Sequence, residues 1–195
     1  MSYLRDFWAN AVVTEADEYS TDSSITTGIY AEELPFSDSS FDFVVAKDSL
    51  HHFRNPMLAL NEIKRVLKPN GKFIVSEPYW SPLGRFVYRK IHPEPWKTRI
   101  NSLLINSNDL WDSNQALLFL LSYKFKNEFK KNCPNFTIKI HYPTYALSYL
   151  LSGGVHSRTR ISSRFLISLN KLERKNKLLL RFTGLNVVAV FEKRI

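Results

Sequence analysis

The hydrophobic pattern changes period twice between residues 41 and 76, and each change marks a predicted element. Residues 41–46 form a nearly continuous apolar run, which is typical of a strand buried on both faces of a parallel sheet. Apolar side chains then recur at helical spacing, at Leu60, Ile63, Val66 and Leu67. Residues 73–76 form the next buried run. A strand, a helix and a strand of these lengths predict a parallel, right-handed βαβ unit.

The predicted helix has recognisable ends. Asn55 is a suitable N-cap, and Pro56 is a suitable first helical residue. Residues 69–71, Pro-Asn-Gly, should stop the helix and turn the chain toward the second strand.

Weaker patterns flank this unit. Strands are predicted at 11–14, 25–29, 136–141 and 186–191, and helices at 116–129 and 163–180. Residues 79–116 are rich in aromatic residues, Pro and Asn without a clean period, which indicates a lid or an inserted lobe. We expect the strands to form one sheet, with 11–14 parallel to 41–46 and 73–76. The last strand, 186–191, should be antiparallel at the far side of that sheet.

Charge is distributed unevenly along the chain. Residues 1–84 contain 7 basic and 12 acidic side chains, whereas residues 85–195 contain 20 and 6. The basic residues of the C-terminal half either solvate its helices or face an anionic partner. The basic stretch 163–180 either covers the sheet or makes peripheral contact with an anionic membrane. Nucleic acid is not expected as a partner.

Cysteine and histidine content restricts the chemistry. Cys133 is the only cysteine, which excludes a disulfide or a cysteine-based metal site within one chain. No metal site is expected, because adjacent residues such as His51 and His52 rarely share one ion. The N-terminal residues lack the apolar core of a signal peptide, and no apolar run approaches the ~20 residues of a transmembrane helix. These observations predict a cytoplasmic protein and leave its oligomeric state open.

An ordered series of short motifs runs through residues 26–80, namely AEELPF, SFDFVV, SLHHF and EIKRVLKPNG. The series resembles the class I S-adenosylmethionine-dependent methyltransferases, in the type 11 group that modifies small molecules and lipids. The resemblance implies an α/β fold with a Rossmann-like methyltransferase sheet, in which the cofactor lies across the carboxyl ends of the strands. It divides the chain into a partial cofactor-binding core at 1–80 and a lid or substrate lobe with the last strands at 81–195.

The resemblance also assigns candidate contacts to S-adenosylmethionine. In the family an acid after the second strand holds the ribose, and Glu15 and Asp17 both match that position. Tyr30 and Ala31 stand where the adenine is bound. Ala46 and Lys47 follow the fourth strand of the family, where backbone meets the methionine end of the cofactor.

The glycine-rich turn of the family is not matched, because the first glycine of this sequence is Gly28. That turn lets backbone approach the cofactor closely at a helix N-terminus. We therefore expect an N-terminally truncated domain that binds the cofactor weakly or not at all. Three explanations stay open: a start codon placed too late, a decayed or split gene, and another chain that supplies the missing elements.

Three side chains are candidate catalytic groups for methyl transfer. His51 and His52 follow the fourth strand, where an imidazole could take a proton from the acceptor; the alternative is a helix cap and a packing contact. Glu77 ends the fifth strand and either accepts a hydrogen bond from the acceptor or caps the next turn. Residues 108–115 gather polar groups around an aromatic ring, which indicates either a pocket for a sugar or head group or a helix N-cap at Asp112 or Ser113.

These features predict methyl transfer from S-adenosylmethionine to a small acceptor, with a glycan or a lipid-linked precursor as acceptor class. Residues 79–115 should close the pocket. The alternative function is a non-catalytic remnant or binding module that uses its basic half on an anionic partner. An in-frame strand and Gly-x-Gly upstream of Met1 would favour the enzyme.

Overall fold

A computed structural model of the chain describes residues 14, 16, 25–105, 112–144, 146–153 and 161–194. Its sheet has four strands in the order β1-β2-β4-β3: β1 Phe41–Lys47, β2 Leu67–Pro78, β3 Phe136–Thr144 and β4 Asn186–Lys193. β1 and β2 are parallel, and β4 is antiparallel to both β2 and β3. The α/β class, the parallel pairing of 41–46 with 73–76 and the antiparallel last strand are confirmed.

The described helices connect and cover these strands. A 3₁₀ turn spans Leu50–His52, and the helices are α1 Pro56–Val66, α2 Pro82–Lys90, α3 Leu117–Ser122, α4 Lys126–Asn132, α5 Leu147–Leu151, α6 Ser163–Lys175 and α7 Lys177–Thr183. The predicted start of α1 is correct, because Oδ1 of Asn55 accepts a hydrogen bond from the Leu58 N–H at 3.2 Å. No helix in the described ranges is long and apolar enough to cross a membrane.

Two strand predictions need correction. Residues 25–29 form no strand of the sheet and contribute only an isolated bridge between Ala16 and Thr26. The last strand is not at the far side, since β4 lies between β2 and β3. This position suits its side chains, because Val187, Ala189 and Phe191 are fully buried. Of the predicted strand 11–14, residues 11–13 lie outside the described residues.

The prediction that 41–46 is buried on both faces is wrong. Val44 and Ala46 pack against the core, whereas Phe43 is 58% and Val45 is 37% exposed. Successive side chains of a strand point to opposite faces, and the residues described here cover only one face of β1 well.

The two long predicted helices are each broken. Residues 116–129 form α3 and α4, and the break at Tyr123 lets both Phe125 and Phe129 reach the core. The predicted N-cap at Asp112 or Ser113 is also wrong, because α3 begins at Leu117 without a side-chain cap. Residues 163–180 contain all of α6 and the beginning of α7. Asn176 ends the first helix, and its Oδ1 caps the second by accepting from the Leu179 N–H at 3.0 Å.

One hydrophobic core joins both halves of the chain. It combines Leu60 and Ile63 of α1 with Phe73 of β2, and adds Leu117 of α3 and Phe191 of β4. Residues on both sides of the predicted boundary at residue 80 therefore stabilise the same sheet, because they remove apolar area from water together.

Candidate functional site

The carboxyl end of the parallel pair forms one edge of the sheet with the start of β4. Lys47 at the end of β1 pairs with Ser76, and Pro78 at the end of β2 pairs with Asn186. The 3₁₀ turn after β1 begins at this edge, and the Asp48 N–H donates to the Ser76 carbonyl at 2.9 Å. The predicted catalytic residues His51, His52 and Glu77 therefore come together here.

Glu77 holds this 3₁₀ turn in place. Its Oε1 accepts hydrogen bonds from the N–H groups of Ser49 at 3.1 Å and Leu50 at 2.8 Å, and its Oε2 lies 2.6 Å from Nδ1 of His51. The side chain is fully buried. The sequence offered contact with an acceptor or a cap on the next turn, whereas the bonds of Glu77 hold the turn after β1, which precedes it in the chain.

A second carboxylate completes the cluster. Oε2 of Glu94 lies 3.3 Å from Nε2 of His51 and 3.7 Å from Nε2 of His52. The same oxygen accepts hydrogen bonds from Ser113 Oγ at 3.0 Å and from Gln115 Nε2. The sequence did not single out Glu94, because it lies in the aperiodic segment after α2, and its contact with the turn is not local in sequence.

The two imidazoles differ in their electrostatic surroundings. Burial by itself would lower the pKa of His51, but the carboxylates of Glu77 and Glu94 raise it from 6.5 to about 10. Burial, followed by the positive charge of His51, lowers the pKa of His52 below 6.5. At neutral pH His51 is therefore charged and His52 is neutral, so that His52 is the histidine able to accept a proton.

The pKa of Glu94 responds to the same neighbours. Burial would raise the pKa of this carboxyl, but hydrogen bonds and the charge of His51, together with Gln115 and Ser113, lower it from 4.5 to about 2. Glu94 is ionised throughout the physiological range, and its one oxygen faces both imidazoles.

The described parts of 79–115 lie over this edge and are bonded to it. The Asn114 N–H donates to the His51 carbonyl at 2.9 Å, and the Asn114 side chain exchanges two hydrogen bonds with the backbone of Lys97, at 3.0 and 2.9 Å. Of the predicted polar pocket at 108–115, residues 108–111 lie outside the described residues. Ser113, Asn114 and Gln115 are buried and use their polar groups internally.

The predicted cofactor contacts are only partly described. Glu15 and Asp17 lie outside the described residues. Tyr30 is 43% exposed, with the Arg54 guanidinium 5.7 Å from its ring centre, and Ala31 follows in a turn. Ala46 packs against the core, and Lys47 is exposed at the edge, 3.7 Å from Asp48. Their roles in binding stay predictions.

Similarity to known proteins covers the N-terminal part of the chain. Residues 5–75 match the family model described as "Methyltransferase domain". The predicted resemblance to class I methyltransferases is confirmed over this segment. It includes β1, the turn that carries both histidines, α1 and β2 as far as residue 75.

Two curated relatives are similar over a segment of comparable length. The Escherichia coli (strain K12) protein YafE is 45% identical over 67 residues, which cover 34% of this chain and 32% of YafE. The ubiquinone/menaquinone biosynthesis C-methyltransferase UbiE of Laribacter hongkongensis is 47% identical over 55 residues, which cover 27% of this chain and 22% of UbiE. The matched region thus spans a third or less of either relative.

Among solved structures, the crystal structure of YcgJ from Bacillus subtilis aligns over 89% of this chain and 73% of its own. Its TM-score is 0.43 and its sequence identity is 19%. A likeness at this level carries no inference about activity.

Proposed function

We propose that this chain contributes to a site that transfers a methyl group from S-adenosylmethionine to a small acceptor. The observation that carries the proposal is the match of residues 5–75 to a methyltransferase domain. This segment ends in the βαβ unit whose carboxyl edge bears the histidine cluster. In sheets of this kind, ligands bind outside the carboxyl ends of the strands.

The cofactor would extend along that edge. Glu15 or Asp17 would accept hydrogen bonds from the ribose hydroxyls, because a carboxylate offers two charge-assisted acceptors. Tyr30 and Ala31 would border the adenine. Ala46 and Lys47, at the end of β1, would border the methionine end of the cofactor.

His52 would act on the acceptor. Methyl transfer from a sulfonium is an in-line displacement, so orientation supplies much of the rate and a base removes the proton that the acceptor loses. His52 is the more exposed of the two imidazoles and has a lowered pKa, so it can accept that proton. His51 and Glu77 would serve as positioning residues, because their polar atoms already bond to each other and to the turn.

A lipid-linked acceptor is the class that the surface of the chain favours. We define the α6–α7 surface by four exposed apolar side chains, Phe165, Leu172, Leu178 and Phe182. The main contacts of α6 are with α5 and α7, whereas α7 also contacts β3 and buries Leu180, so these four side chains are the part of the stretch left exposed. UbiE, by its name, acts in the biosynthesis of quinones, which are lipids, and that supports the same class.

Charge on these helices supports contact with an anionic membrane. Six basic residues occur between 163 and 183, and the acid in this stretch, Glu173, is buried. Glu173 accepts from the N–H groups of Leu147 and Ser148 and from Ser148 Oγ. The exposed charge of α6 and α7 is therefore positive beside apolar side chains, a combination that binds anionic lipid surfaces. The same surface would serve the alternative function, a non-catalytic binding module.

Titration calorimetry with S-adenosylhomocysteine separates the enzyme from the binding module. The sequence has no glycine before Gly28, so the test compares the chain with a chimera that carries a strand and a Gly-x-Gly turn of the methyltransferase type at its N-terminus. We expect micromolar binding by the chimera and much weaker binding by the chain alone. A matched chimera with valines in place of the turn glycines should lose binding. A folded chimera that fails to bind would overturn the proposal.

A further inference from the structure

We propose that His51, His52 and Glu94 form a binding site for a divalent transition-metal ion, with Zn²⁺ as the type. Each of these residues offers one ligand atom, a ring nitrogen or a carboxylate oxygen, and these atoms all lie within 4.8 Å of one another. Adjacency in sequence, which argued against a shared ion, does not keep these two side chains apart. Both face the same oxygen of Glu94.

The distances suit a small tetrahedral ion. Zn²⁺ binds nitrogen and oxygen at about 2.0–2.2 Å, so two tetrahedral ligand atoms stand roughly 3.3–3.5 Å apart. Nε2 of His51 is 3.3 Å and Nε2 of His52 is 3.7 Å from Oε2 of Glu94. A small rotation of the half-buried His52 ring would complete the geometry. Two histidines and one glutamate are also a ligand set that zinc sites use with the fourth position open.

The hydrogen-bond partners of the proposed ligands also suit a metal site. Metal-binding histidines almost always engage a carboxylate or carbonyl with their other nitrogen, which fixes the ring. Nδ1 of His51 lies 2.6 Å from Oε2 of Glu77, and Glu77 is itself held by two backbone N–H groups. The ligand Glu94 is in turn oriented by Ser113 and Gln115.

Charge is consistent with a divalent cation. Glu77 and Glu94 approach the same imidazole from its two nitrogens. Metal binding would displace the Nε2 proton of His51, which is charged in the metal-free cluster, and the two carboxylates would then carry two negative charges beside neutral imidazoles. One divalent ion would balance them. The competing interpretation is an ion pair that only stabilises the fold.

The inference is independent of methyl transfer, because it concerns these side chains alone. An ion on Nε2 of His52 would withdraw that nitrogen as a proton acceptor. The metal-loaded and metal-free forms should therefore differ in any transferase activity, whereas metal binding itself does not depend on such activity.

Metal titration of the chelator-treated chain tests the site. We expect one equivalent of Zn²⁺ to bind in calorimetry, and Co²⁺ to give visible absorption bands of low-coordinate cobalt. His52→Ala and Glu94→Gln should each weaken binding at least tenfold, because the first removes a ligand and the second replaces a charged carboxylate ligand by a neutral amide oxygen. Glu128→Gln is the matched control, since Glu128 is an exposed carboxylate in the first turn of α4.

Circular dichroism should show that each variant folds, and Glu94→Gln retains the groups that bond to Ser113 and Gln115. The proposal is overturned if the unmodified chain shows no saturable binding. It is equally overturned if folded His52→Ala and Glu94→Gln bind as tightly as Glu128→Gln, because the ion is then held elsewhere.

Discussion

Arg65 uses all five of its N–H groups to hold the loop before β1 against α1. Two bond to the carboxylate of Glu62, and the others reach Asp38 and the carbonyls of Leu34 and Phe36, at 2.7–3.0 Å. The planar guanidinium matches such a set, which lysine could not replace. The motifs ELPF and EIKRV thus have a structural basis in one side chain. Glu62 and Arg65 lie between the apolar positions of α1, and the helical pattern alone could not reveal the loop that they hold.

The sequence predicted where the turn with His51 and His52 lies, but not the hydrogen bonds that hold it. The sequence indicated that His51, His52 and Glu77 follow two neighbouring parallel strands, so their proximity followed from topology. It left two roles open for Glu77, because burial decides between them. Full burial with three hydrogen bonds makes Glu77 an anchor of the turn.

Glu77→Gln should therefore destabilise the chain. The amide oxygen can still accept from the two backbone N–H groups. The amide nitrogen, however, is a donor that faces the Nδ1–H of charged His51, and His51 loses the negative charge of Glu77. An unmet buried polar group typically costs about 1–3 kcal/mol, and urea unfolding should show a loss of that size. Glu32→Gln is the control, because Oε1 of Glu32 accepts from the Asn55 N–H and an amide oxygen can do the same. Equal effects of the two substitutions would contradict the anchor role.

Helix ends were predictable where a local signal exists. Asn55 and Pro56 set the start of α1, and that prediction is confirmed. The breaks at Tyr123 and Asn176 were missed, because apolar residues continue at helical spacing across both. At Tyr123 the aromatic side chains beyond the break pack into the core, and at Asn176 a side-chain cap competes with the helix.

The α6–α7 surface should bind anionic vesicles. Its exposed phenylalanines can enter the lipid interface while neighbouring Lys and Arg face the head groups. Phe165→Ser with Phe182→Ser should weaken co-sedimentation with phosphatidylglycerol vesicles at least tenfold, because each buried Phe contributes roughly 1.5–3 kcal/mol. Phosphatidylcholine vesicles should bind weakly.

The matched control replaces two exposed apolar residues of other helices, Leu58 of α1 and Phe86 of α2, by serine. That variant should bind as the unmodified chain does. Equal losses in both variants, or no binding to anionic vesicles, would exclude the α6–α7 surface as the membrane contact.

At the scale of the whole molecule, the succession of strand and helix patterns along the sequence predicted much of the sheet. The βαβ unit is local, so β1, α1 and β2 could be recognised from period alone. The position of β4 between β2 and β3 depends on pairing with two strands distant in sequence. Glu94 was missed for the same reason, because only the packing of the segment after α2 over the sheet edge brings it to His51.

Substitutions of Glu15 and Asp17 test the predicted contact with the ribose of the cofactor. If residues 11–14 correspond to the second strand of the family, one of these acids accepts hydrogen bonds from both ribose hydroxyls. Each charge-assisted bond is worth about 1.5–3 kcal/mol, so replacing the true ligand by Ala should weaken cofactor binding roughly tenfold to a hundredfold. Replacing the other acid should change little, which makes the two variants controls for each other. Calorimetry with S-adenosylhomocysteine on the chimera with the Gly-x-Gly turn measures both. Near-zero effects from both substitutions would place the ribose elsewhere and contradict the alignment of 11–14 with the second strand.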